Sequence, residues 1–134
     1  GFDYVQGSRY APGGSAVNTP LDRWIAGRLI HAPLLSIASG FFYTDTTNGF
    51  RAYSASYLRH PAVEPFRAIF DRYSLLFYLT VRANQLRLRT CEIPVSRSYP
   101  ASASVPTKIQ GFGGKWDLFR ELLDVCLGKH HPAS

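Results

Sequence analysis

Asp45, Thr47, Asn48, Gly49 and Arg51 stand together in the stretch TDTTNGFRAY. Asparagine and glycine alone suffice for a tight turn, because both tolerate backbone conformations that other residues avoid. A carboxylate, a hydroxyl and an arginine added to them suit the turn to face something charged. Asp45 could act as a general base, ligate a metal or hydrogen-bond the turn's own backbone, and the last is the usual role of an aspartate in such a place. A second group, VQGSRY, puts Ser8 and Arg9 directly after a strand-like stretch, and α/β sheets bind ligands at the carboxyl ends of their strands. Glu92 alternates with Cys91 and Ile93 in LRLRTCEIPVSR. A carboxylate buried in a strand needs a partner, so an arginine pair or a functional contact is expected for it. GFGG at residues 111–114 lacks the spacing of a phosphate-cradling loop and reads as a linker. His31, His60, His130 and His131 have no ligand spacing, so no metal site is expected from them.

Charge narrows the partners. Fifteen basic residues against nine acidic ones give a formal charge of +6, and 12 of the 15 are arginine. Arginine's planar fork matches phosphate and carboxylate, so the bias favours anion recognition, whether of nucleic acid, nucleotide, lipid phosphate or an anionic membrane. With 46% hydrophobic and 14% aromatic residues the composition is that of a globular domain. Two cysteines are too few for a disulfide scaffold. No apolar run reaches the roughly 18 residues of a membrane span.

The elements that must hold these residues alternate between strand and helix, which implies an α/β fold with about three strands and three main helices. Asp3–Gly7 is the first strand, followed by a loop marked by Pro12, Gly13 and Gly14. Asn18 or Thr19 can cap a helix that opens at Pro20 and carries Leu21, Trp24, Ile25 and Leu29 on one face, and Pro33 should end or kink it. Phe50–Ser54 alternates like a strand. Pro65 opens the second helix, with Phe66, Ile69, Phe70, Tyr73, Phe77 and Thr80 on one face and an end near Asn84. LRLRTCEIPVSR is the clearest strand, and Pro94 assigns it to an edge or an irregular end. Residues 98–114, rich in Ser, Pro and Gly, form the expected mobile loop. Trp116, Phe119, Leu122, Leu123 and Cys126 set the last amphipathic helix, and 129–134 is expected to be a tail.

In series, DYVQGSRYAPGG, Arg23 on a helix, DTTNGFRAY, EIPVSR and a later Lys108 resemble the family 2 glycosyltransferases, specifically the polyprenyl-phosphate glycosyltransferases of the dolichol-phosphate mannose synthase group. The resemblance implies that residues 1–128 are the C-terminal, acceptor-side half of a GT-A domain. It implies an inverting transfer of a sugar from a nucleotide sugar to a polyprenyl phosphate, at the cytoplasmic face of a membrane. Asp45 and Arg51 would then be catalytic, with Thr47, Asn48 and Gly49 shaping the turn. Ser8, Arg9 and Arg23 would bind the acceptor phosphate, and Arg97 and Lys108 would close over the donor diphosphate. The Mg²⁺ or Mn²⁺ of the complete enzyme would be held by a D-x-D motif, which this sequence lacks. Gly27 and His31 depart from the family pattern, which usually has Ser and Asn there. Strand edges left uncovered in such a half would favour self-association. A different class, a stand-alone basic α/β module for nucleic acid or anionic lipid, explains the charge equally well but not the ordered motifs.

Overall fold

The computed structural model describes residues 1–70, 72–99 and 111–133, with the side chains of 111–114 left out. Strand β1 (Tyr4–Ser8) is the centre of a three-stranded mixed sheet. It pairs antiparallel with β3 (Arg51–Tyr53) and parallel with β4 (Thr90–Pro94). Between β1 and β3 the chain forms the short strand β2 (Ser15–Val17) and the helical run α1 (Leu21–Ile25), a π-helical segment (Ala26–His31) and α2 (Ala32–Ser39). After β3 come α3 (Ala55–Leu58) and α4 (Ser74–Gln85), then β4, β5 (Ser96–Ser98) and α5 (Gly111–Cys126). β5 pairs parallel with β2 in a separate two-stranded sheet. The α/β class is as expected, and Pro94 lies on an edge strand, where its missing donor costs no ladder bond.

Helix α4 packs against α2 and α5 and touches β1. The core this creates is rich in tyrosine, and three of its phenols donate to backbone carbonyls. Tyr43 Oη donates to Thr80 O (2.7 Å), Tyr57 Oη to Leu79 O (2.5 Å) and Tyr78 Oη to Val63 O (2.6 Å). Each of these three buries its ring for hydrophobic gain without orphaning its hydroxyl.

Five local expectations are corrected. Pro33 does not end the helix at Pro20–Leu29. The chain widens into the π-helical segment, where the Ala32 N–H bonds to Gly27 O, and Pro33 then sits in the first turn of α2, where a missing N–H is tolerated. Neither Asn18 nor Thr19 caps α1; Asn18 Nδ2 instead donates to Tyr99 O at 3.1 Å. The second helix starts at Ser74 rather than Pro65, because residues 61–70 form turns around buried Val63, with Glu64 at φ 45°. Phe66 is left 84% exposed there, so the apolar spacing that suggested a helix was partly coincidental. The expected loop 98–114 is regular at both ends. Ser98 closes β5, and α5 begins at Gly111. Residues 100–110 lie outside the described residues. The expected tail at 129–134 is instead folded back over 129–131: the His130 ring stacks on Phe70 (5.5 Å), His131 lies against Tyr78 (6.4 Å), and Arg67 donates to His130 O.

Candidate functional site

Because β1 and β4 are parallel and β3 antiparallel, the carboxyl ends of β1 and β4 meet the start of β3, with Gln6 opposite both Arg51 and Glu92. The turn of residues 44–49 lies against this end, and four polar side chains fix it. Glu92 accepts from Thr44 N (2.9 Å), Thr44 Oγ1 (2.9 Å) and Asp45 N (3.2 Å). Its partners are therefore backbone and hydroxyl donors of the turn rather than an arginine. Burial raises the Glu92 carboxyl, and these hydrogen bonds oppose that rise without cancelling it. Gln6, fully buried, donates from Nε2 to Asn48 O at 3.0 Å.

Arg9 and Asp45 form a bidentate pair at this point. Arg9 Nε donates to Asp45 Oδ2 (2.7 Å) and Nη2 to Oδ1 (3.0 Å), while the Arg9 backbone N–H adds a third bond to Oδ2 (3.0 Å). Asp45 is 2% and Arg9 7% exposed. Burial alone would raise the Asp45 carboxyl, but the hydrogen bonds and charge of Arg9 outweigh it and hold the group below the usual carboxylate range. Arg51 is a clamp. It donates from Nε to Asn48 O (3.1 Å), from Nη1 to Leu76 O and Thr80 Oγ1 (both 2.8 Å) and from Nη2 to Thr46 O. It therefore binds the turn to α4 through carbonyls, rather than offsetting negative charge.

A cleft of about 470 Å³ opens beside this knot. Its walls bring together Arg9, Arg23, Arg51 and Arg97 with the turn residues Thr47, Asn48 and Gly49. A neighbouring hollow of about 440 Å³ shares Asn48, Gly49 and Arg97. The β2–β5 sheet sets the position of Arg97, whose guanidinium lies 4.8 Å from the Tyr99 ring; that of Arg23 lies 5.6 Å from the same ring. Burial would raise the Tyr99 phenol, yet Arg23, Arg97 and Arg9 together hold it below its ordinary value. The cleft thus favours a negative oxygen, as a phosphate-binding site must.

Not every expected residue faces the cleft. Asp45 lies behind Arg9. Ser8 is fully buried, with its hydroxyl 2.5 Å from Thr44 Oγ1 and accepting from Tyr10 N (3.1 Å) and Ala11 N (3.0 Å), so it shapes the loop and offers no surface to a phosphate. Lys108 lies outside the described residues. Lys115, Tyr99, Asp22 and His31 line the cleft without having been singled out for it. Lys115 belongs to the apolar-patterned α5, and only its placement opposite Asp22 (3.3 Å) shows that it reaches the cleft. His31 is 5% exposed, packs its ring 5.4 Å from Phe77, and burial lowers its pKa to about 4. Gly27 brings the π-helical segment close to the turn, since a Cβ there would sit 3.2 Å from Thr47 Oγ1.

Among the described residues no group of three or more His, Cys, Asp or Glu side chains could hold a metal ion. Asp22 is paired with Lys115 and Asp45 with Arg9. These donors do not fit a divalent cation. No helix among the described residues is long and apolar enough to cross a membrane.

The chain is 36% identical over 98 residues to an undecaprenyl-phosphate mannosyltransferase of Micrococcus luteus. The match covers 70% of this chain and 37% of the relative, so the chain spans little more than a third of that protein's length. The similarity is to a polyprenyl-phosphate glycosyltransferase. No family model matches the chain, and no solved structure matches it.

Proposed function

We propose that this chain forms the acceptor side of an inverting, family 2 glycosyltransferase with a GT-A domain, which moves a sugar from a nucleotide sugar to a polyprenyl phosphate at the cytoplasmic membrane face. The mannose in the relative's name makes a mannosyl donor the first to test. The observation that carries the reading is the convergence of Arg23, Arg97 and Lys115 on one cleft at the strand ends, in a field that lowers even a phenol.

In this reading an acceptor phosphate oxygen attacks the sugar's anomeric carbon from the face opposite the leaving nucleoside diphosphate. One carbon–oxygen bond forms as the other breaks. The acceptor is already ionised at neutral pH, so no proton needs to be removed. Asp45 is then a positioning residue: its carboxylate fixes Arg9 so that the guanidinium edge on the cleft keeps one orientation. Arg51 holds the turn that forms the cleft floor. Arg23 binds the acceptor phosphate, while Arg97, common to both hollows, and Lys108 offset charge on the departing diphosphate. Among the described residues no set of side chains supplies a metal site.

Titration with farnesyl phosphate, a short water-soluble acceptor, tests the reading. Saturable binding that farnesol does not reproduce is expected, and Arg23→Ala with Arg97→Ala should weaken it by about 10- to 100-fold. Equal binding of farnesol, or salt-sensitive binding of generic DNA in its place, would contradict it.

A further inference from the structure

Two buried polar side chains on the cleft wall are left unbonded by the fold. His31 closes the π-helical segment and is 5% exposed; Thr46 lies in the turn and is fully buried; both line the cleft. Among the described residues, neither His31 Nδ1 nor Thr46 Oγ1 has a hydrogen-bond partner. The turn's other polar side chains, Thr44, Asp45, Thr47 and Asn48, all have one. A buried polar atom without a partner works against folding, so its retention needs a cause. Two of them on one cleft point to a ligand.

Their chemistry differs from that of the arginines around them. A guanidinium only donates hydrogen bonds. The His31 imidazole, whose pKa burial lowers to about 4, is uncharged at neutral pH, with one nitrogen donating and the other accepting. A threonine hydroxyl also does both. A sugar hydroxyl needs partners of both kinds, which this pair supplies and arginine alone does not. Leu76, Phe77 and Leu118 line the same cleft and offer an apolar wall to the C–H face of a sugar ring. A mostly apolar lining with a few placed polar groups is the general form of a small-molecule site.

We infer that His31 and Thr46 form a hydroxyl-binding subsite, which takes the sugar of a glycosyl phosphate whose phosphate lies on the cleft arginines. The subsite stands on the two unbonded atoms, and the placing of the phosphate rests on the reading given above. Both atoms are shielded from solvent. The outer torsion of a histidine is broad, so a turn of the ring presents a nitrogen edge to the ligand without moving the backbone.

The test compares methyl phosphate with mannose 1-phosphate, titrated into the 134-residue chain at neutral pH. Both are phosphate monoesters, and only the second carries sugar hydroxyls. Mannose 1-phosphate should bind about 3- to 10-fold more tightly. His31→Leu and Thr46→Val should each bring that ratio down to about twofold or less, while methyl phosphate binds as it does to wild type. Thr46→Val removes an oxygen that has no partner, so its urea midpoint should equal or exceed that of wild type. Equal binding of the two probes by wild type, or an unchanged ratio in both folded variants, would overturn the subsite. A lowered midpoint for Thr46→Val would do the same, because the hydroxyl would then have a partner in the fold. Farnesyl phosphate separates the two readings. A wild type that binds it but gains nothing from the sugar fails the subsite alone. One that prefers mannose 1-phosphate to methyl phosphate and ignores farnesyl phosphate keeps the subsite and fails the acceptor reading, and one that binds none of the three overturns both.

Discussion

The chain holds its arginines in two ways around one cleft. In the knot under the turn, Arg9 and Arg51 are surrounded by acceptors from their own fold: a carboxylate in one case, three carbonyls and a hydroxyl in the other. Arg23 and Arg97, which line the same cleft, instead lie against the ring of Tyr99. The first pair holds the shape of the site, and the second supplies its field. The same residue type serves both purposes, and its neighbours decide which.

The sharpest way to break this contrast is at the knot. Asp45→Ala leaves the Arg9 guanidinium buried without its carboxylate and should destabilise the fold by about 3–5 kcal/mol, read as a lower urea midpoint. Arg9→Met in that background should recover part of the loss. If Asp45→Ala leaves stability unchanged, the pair is not a scaffold. Acid should weaken the same contact. The carboxyl is held below its unfolded value, so its contribution is present above roughly pH 4 and is lost as pH falls through the lowered folded value.

His31 gives the next effect. Its folded pKa of about 4 lies below the unfolded value of about 6.5, so the unfolded chain binds the proton first. Stability should fall by on the order of 3 kcal/mol as pH drops from about 6.5 to 4 and change little from this group below that. His31→Leu should flatten that slope, and an unchanged slope would remove His31 from the account.

Arg51→Met comes third. It leaves the turn carbonyls without their donors and should cost about 2 kcal/mol, with Arg51→Lys a poor rescue because one ammonium cannot span acceptors on both the turn and α4. Smallest in stability is the double change Arg23→Ala/Arg97→Ala, expected within about 0.5 kcal/mol of wild type by urea unfolding. A large loss there would mean that the cleft arginines also hold the fold.

The sequence makes some of this legible and hides the rest for identifiable reasons. β1, β4 on its edge and the apolar face of α5 follow from alternation, Pro94 and the spacing from Trp116 to Cys126. The turn of residues 44–49 is recognisable from its composition, and Arg9, Arg51 and Asp45 do gather there. Their roles are not legible, because partners lie far apart in the chain. Asp45 is 36 positions from Arg9, and Arg51 reaches Leu76 and Thr80 across the core. Ser8 looked available for a phosphate because nothing local shows Thr44 beside it. Pro33 was expected to end or kink the helix; the helix continues instead through a π-helical detour that leaves no mark in apolar spacing. Phe66 and Ile69 suggested a helix because exposed apolar residues in turns match helical spacing as well as buried ones do.

The central claim is that one set of arginines builds the site while another binds the ligand, and farnesyl phosphate binding by matched variants tests it most directly. Affinity should be measured for wild type, Arg23→Ala/Arg97→Ala and Asp45→Asn, with each variant's unfolding followed in parallel. The account predicts that the cleft variant binds about 10- to 100-fold more weakly with stability intact, whereas Asp45→Asn loses stability first and binds nearly normally wherever it remains folded. The reverse pattern, with binding abolished in a fully stable Asp45→Asn and untouched in Arg23→Ala/Arg97→Ala, would contradict it.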